Sequence, residues 1–247
     1  MHLKSTICKN CSHQFAGKFC NNCGQKASVG TINFKDIFHE AWHNLTHTDT
    51  GYLQLFWDLL VRPGQTIKNY LAGKRKSYFS PFTFYIVTTS LLILITNWVF
   101  KKEDLLYKTN NEFGNYHAQN INYILFYFLP IITVLLWLFF KKYFKNLAES
   151  LTVTIFMFGA LNFFLLLCNI FFYAFISLHF EFNDDTKLIG YLFMLYILYS
   201  FLKPLSIWEI LKLFLLVIIF YVLVEWVSLI ILLTVFDHVP LNKLINF

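Results

Sequence analysis

The chain has 247 residues, a formal net charge of +6 and a mean hydropathy of +0.54. Only 14% of its residues are charged while 57% are hydrophobic, against roughly 25% charged in a soluble domain. That balance excludes an ordinary water-surrounded globular enzyme, and the apolar excess lies almost wholly after Pro81.

The first zone, residues 1–30, holds four of the five cysteines. Its opening, "MHLKSTICKN", lacks the apolar stretch and small-residue cleavage site of a signal peptide, so the first apolar segment is expected to act as the insertion signal. Cys8, Cys11, Cys20 and Cys23 follow the pattern C-x2-C-x8-C-x2-C. Each C-x2-C pair can present two thiolates to one tetrahedral ion, and two pairs complete a closed structural zinc site. Iron or a pair of disulfides are the alternatives; a reducing cytoplasm disfavours the disulfides. Gly17 and Gly24 suit the turns of a short ribbon. Thirty residues cannot build an adequate apolar core, so metal binding is expected to supply the folding free energy. Four thiolates leave no open position for catalysis, which makes the ribbon a docking module for a protein partner.

The second zone, residues 31–80, is expected to be a cytoplasmic juxtamembrane region. Within 33–47, Phe34, Ile37, Phe38, Ala41, Trp42 and Leu45 form one apolar stripe of an amphipathic helix. Asn33 and Asp36 resemble a capping box at its start. His39, His43 and His47 fall on the opposite face, and residues 39–43 spell "HEAWH", the zinc-protease signature H-E-x-x-H. His39 and His43 could chelate one ion with Asp36 or Glu40 as a further ligand or supporting partner. His47 lies about 12 Å beyond His39 along an unbroken helix. A protease would also need a third ligand and an open fourth position, and no companion motif follows. A solvated or partner-facing polar face is the expected reading, ahead of a second metal site and of a protease.

Next comes a basic collar, "RPGQTIKNYLAGKRKSYFSP", with Arg62, Lys68, Lys74, Arg75 and Lys76 just before the membrane zone. Gly73 reads as a helix-terminating residue. Each of these cations is attracted to anionic lipid headgroups by about 1 kcal/mol. A topogenic signal alone is the expected reading, ahead of specific lipid or phosphate recognition, and nucleic acid is not expected because the bilayer occupies the charges. The run from "CGQK" through "TDTGYL" to "RPGQTIKNYLAGKRKSYFSPF" resembles an uncharacterised bacterial family, domain of unknown function 3667, seen largely in Bacteroidota. The resemblance covers roughly residues 5–90. It implies a membrane protein with a zinc-ribbon head and lends no activity.

Residues 81–247 read as an all-α transmembrane domain of about five spans: 82–100, 121–140, 151–178, 188–203 and 207–236. Ser80-Pro81 marks the start of the first, and "KPLS" the turn between the last two. Fifteen of the twenty Lys and Arg fall in segments inside if the N-terminus is cytoplasmic, and five fall outside. By the positive-inside rule the N-terminus is cytoplasmic and the C-terminus periplasmic in a bacterial inner membrane. Thr152, Gly159, Asn162, Asn169 and Tyr173 form a stripe suited to helix packing. Glu225 lies near mid-membrane and is expected to bond Asn162 or Asn169 as structural glue.

Three functional readings follow from these residues. The leading one is a non-enzymatic membrane adaptor or assembly factor. The second is a small transporter or lipid-handling protein using Glu225, which with so few spans would work as a homo-oligomer. The third is a membrane metallohydrolase using His39, Glu40 and His43.

Overall fold

The computed structural model describes residues 5–37, 51–103, 128–175, 184–204 and 206–235. Two short strands, β1 (Thr6–Ile7) and β2 (Gln14–Phe15), pair antiparallel with Thr6 opposite Phe15. The helices are α1 (Tyr52–Val61), α2 (Pro63–Leu71), α3 (Pro81–Glu103), α4 (Phe128–Phe139), α5 (Leu147–Phe175), α6 (Asp184–Leu202) and α7 (Ile207–Val235). A short 3-10 turn, Lys141–Tyr143, joins α4 to α5.

Local chemistry sets most of these boundaries. Helix α3 begins at Pro81, whose missing N–H costs nothing in a first turn. Helix α2 ends in a full Schellman motif. Gly73 N–H donates to Tyr70 O at 3.0 Å and Lys74 N–H donates to Asn69 O at 3.0 Å. Gly73 has φ +108°, a left-handed conformation that side chains resist. Asn33 and Asp36 form the expected capping box, with backbone amides donating reciprocally at 3.2 and 3.0 Å. The helix it starts buries Ile37 but leaves Phe34 exposed.

Helix α5 is the centre of the bundle. Gly159 lets α3 close in, since a Cβ there would stand 2.7 Å from the Phe84 ring. Three residues on, Asn162 Nδ2 donates to Thr89 Oγ1 of α3 at 2.7 Å. Phe193 of α6 stacks on Phe164 at 4.7 Å, and Phe220 of α7 meets Phe158 at 5.7 Å.

Among the described residues, two stretches are long and apolar enough to cross a membrane: Leu147–Cys168 and Ile207–Trp226. The count of five spans is therefore not supported. Pro81–Ile95, Phe128–Phe139 and Leu188–Leu202 are apolar but shorter. The two longer stretches differ in setting. Leu147–Cys168 is 72% buried, whereas Ile207–Trp226 is 28% buried and turns Ile207, Leu211, Phe214, Ile218 and Val222 outward.

Candidate metal centre

The repeated pattern Cys-x-Asn-Cys builds two knuckles with matching backbones. In the first, Ser12 N–H donates to Cys8 O and Cys8 N–H donates to His13 O, both at 2.9 Å. In the second, Gly24 N–H donates to Cys20 O and Cys20 N–H donates to Gln25 O, both at 2.8 Å. Ser12 (φ +61°) and Gly24 (φ +73°) occupy equivalent left-handed positions. The paired strands and the Phe19–Lys26 bridge hold the knuckles face to face.

This places all four sulfurs within 4.8 Å of one another. Cys8 Sγ lies 3.5 Å from Cys23 Sγ, and Cys11 Sγ lies 3.6 Å from Cys20 Sγ. Four sulfurs about 2.3 Å from a common zinc would be spaced about 3.8 Å apart, so the cluster fits a tetrahedral thiolate metal. The thiols are not equivalent before metal binds. Asn22, and behind it the backbone at His13, bond Cys11 and lower its pKa to about 6. Burial pushes Cys23 up to about 11.

The side chains between and just after these cysteines grip the basic collar of the same chain. Gln25, 5% exposed, donates from Nε2 to Gly73 O at 3.0 Å and accepts Arg75 N–H and Lys76 N–H at Oε1, each at 3.1 Å. Asn10 Oδ1 accepts the N–H and hydroxyl of Ser77 at 3.0 and 2.9 Å. Arg75 reaches back to donate to Gly30 O at 2.8 Å. A second tie lies further on, where Asn146 Nδ2 donates to Ile32 O at 2.9 Å while its Oδ1 caps α5 at Glu149 N–H. The ribbon is thus clamped to the bundle.

The remaining predicted site residues divide clearly. His39, Glu40, His43 and His47 lie outside the described residues, and Asp36 serves as a helix cap. Among the collar cations, Arg62 pairs with Asp58 at 3.0 Å and Arg75 is taken up by the ribbon linker. Lys68 sits 5.7 Å over the Phe201 ring, where burial, with Lys203 behind it, lowers its pKa. Lys76 is exposed and Lys74 partly so. The expected bond from Glu225 to Asn162 is not formed, because α3 presents Thr89 to Asn162 instead. Glu225 lies within electrostatic reach of Tyr191 on α6, and the Asn169 side chain lies outside the described residues.

Gln25, Asn10 and Glu209 carry roles that the sequence reading did not assign. Glu209, nearly buried, forms an ion pair with Lys142 and accepts the Tyr143 hydroxyl at 3.0 Å. The knuckle repeat could have pointed to Gln25 and Asn10, since uncharged amides flanking cysteines suit backbone recognition.

Replacing Gln25 by Ala should leave the metal in place but loosen the clamp. The Gly73 carbonyl and two amides would lose their partner, a cost of about 3 kcal/mol, or roughly a hundredfold faster local opening. Hydrogen exchange at Arg75 and Lys76 reads this directly, and unchanged protection would show that Gln25 does not hold the collar.

The chain is a predominantly helical protein with membrane-crossing potential and a metal-ready four-cysteine ribbon clamped onto it. Residues 49–93 match the family model described as "Protein of unknown function (DUF3667)", so this stretch is a domain of unknown function 3667. The matched region runs from the start of α1 through the clamped collar into α3, and the four cysteines lie before it. No curated protein and no solved structure matches the chain.

Proposed function

We propose that this protein is a non-enzymatic adaptor or assembly factor of the bacterial inner membrane, with a cytoplasmic N-terminus and a periplasmic C-terminus. Its ribbon holds one structural zinc and docks a cytoplasmic protein. The observation that carries this reading is the closed set of four sulfurs on a ribbon whose inner side is already used by the collar. A tetrahedral ion bound there has no free position for water or substrate. The ribbon still shows Ile7 at 68% and Phe19 at 55% exposure. Two large apolar side chains on so small a module suit a protein contact better than water.

The test uses full-length protein cross-linked in intact cells. Ile7→Asp combined with Phe19→Asp should abolish the cross-linked partner while metal content and collar protection stay unchanged. Capture of the same partner by native and variant protein would overturn the docking role.

A further inference from the structure

Helix α7 meets its own bundle along one side, where Leu213, Leu216, Val217, Phe220 and Val224 are buried. On the other side Ile207, Leu211, Phe214, Ile218 and Tyr221 are each between 46% and 63% exposed. Their spacing alternates four and three residues, and the next step of four lands on Glu225, itself partly exposed. A 3.5-residue repeat of this kind is the seam of a left-handed helix pair, which keeps one row of side chains in contact along its length.

Acyl chains account poorly for the far end of this row. Glu225 is the one charged residue between Lys212 and Asp237, thirteen residues past the first and twelve before the second. It therefore stands near the middle of the apolar stretch. Ionisable groups at that depth turn to a bundle interior or pair with one another, because hydrocarbon offers them no hydrogen bonds. Helix α7 turns Glu225 away from its buried row instead. At 3.6 residues per turn it lies about 120° from the centre of that row, in line with Ile207 and Ile218. Tyr191 of α6 stands within electrostatic reach of it, with its ring 5.4 Å from that of Tyr221. The carboxyl and two phenols make a polar spot on the outside of the bundle, where a facing protein surface can supply hydrogen bonds.

A second copy of the chain has the matching surface. Copies inserted under the same charge asymmetry share one orientation. A two-fold axis along the membrane normal then brings like residues together at like depth. Phe214 and Ile218 meet their own images, and the Tyr221 hydroxyl of each copy can donate to the Glu225 carboxyl of the other, one turn away.

We propose that α7 is a dimerisation helix: two copies pair in parallel along the row from Ile207 to Glu225, with Tyr221 and Glu225 as the mutual polar contact. The pairing rests on the membrane-spanning reading above.

Photoreactive benzoylphenylalanine, introduced singly at Ile218 or at Leu94 of the full chain, tests it in the membranes of the expressing cell. Leu94, exposed on α3, is the control for an apolar face outside the row. The expected result at Ile218 is an adduct of twice the 29.3 kDa chain mass that joins two differently tagged copies. Leu94 should yield lipid adducts alone. At low expression, Glu225→Leu should cut the Ile218 adduct by about five- to tenfold, the loss of two interhelical hydrogen bonds. Glu225→Gln keeps a donor and an acceptor and should leave the adduct nearly intact. Lipid alone at Ile218, an adduct to a different protein, or an Ile218 adduct unchanged by Glu225→Leu would overturn the proposal. No lipid at Leu94 would overturn the membrane reading itself, and the pairing with it.

Discussion

Cys20→Ser combined with Cys23→Ser should remove the bound metal and free the collar in one step. The second knuckle supplies two of the four sulfurs and also aims Gln25, so both losses follow from one change. Structural zinc contributes about 10–16 kcal/mol in zinc-finger peptides, far more than this ribbon's small core of Cys8, Phe15 and Cys20 can replace. Elemental analysis should find no zinc in the double variant. Trypsin should cut at Lys74, Arg75 and Lys76, where Gln25 and Asn10 otherwise hold the backbone. Acid should act in the same direction on the native protein. Cys23, raised to about 11, keeps its proton at neutral pH when metal-free, so metal uptake releases that proton and affinity falls as pH drops. Metal content equal to the native protein's would end the four-cysteine assignment.

Gly64→Ala should be the most damaging single methyl in the helical part. A Cβ at that position would overlap the Ser200 carbonyl and press on the Phe201 amide, both backbone groups that cannot swing away. Helices α2 and α6 would have to separate. That costs about 1–3 kcal/mol for the overpacking, plus about 1 kcal/mol for the bond from Gly64 N–H to Ser200 Oγ. Ser200→Ala removes only the bond and is the natural comparison. In thermal unfolding of purified protein in mild detergent, Gly64→Ala should fall well below Ser200→Ala, which should sit slightly below native. Equal midpoints for Gly64→Ala and native would mean that the two backbones do not approach this closely.

The four cysteines were legible as a metal site because C-x2-C spacing is short-range chemistry: two residues between thiolates leave few other arrangements. The turn glycines, the Asn33–Asp36 cap, the Pro81 start and the Gly73 stop were legible for the same reason, since each depends on one residue's φ or one side-chain bond to its own backbone. The stripe of α5 was legible as a packing face, and Gly159 and Asn162 do meet another helix. Which helix they meet was not. Asn162 finds Thr89 rather than Glu225, because helix periodicity tells which residues share a face and not what stands opposite. The basic collar shows the same limit. Composition marked Arg62 and Arg75 as headgroup ligands, yet Asp58 and the ribbon linker take them first.

The sequence by itself determined the apolar character of the chain, the positions of most helix ends and the grouping of the thiols, since these follow from composition and from contacts within a few residues. Tertiary structure alone decided that the ribbon faces its own collar and that α1 lies against the middle of α5. Both join residues far apart in the chain, Gln25 to Lys76 and Phe56 to Phe163. Long-range pairing is chosen by which buried polar groups can satisfy one another and which backbones can close in, and neither is written in local spacing.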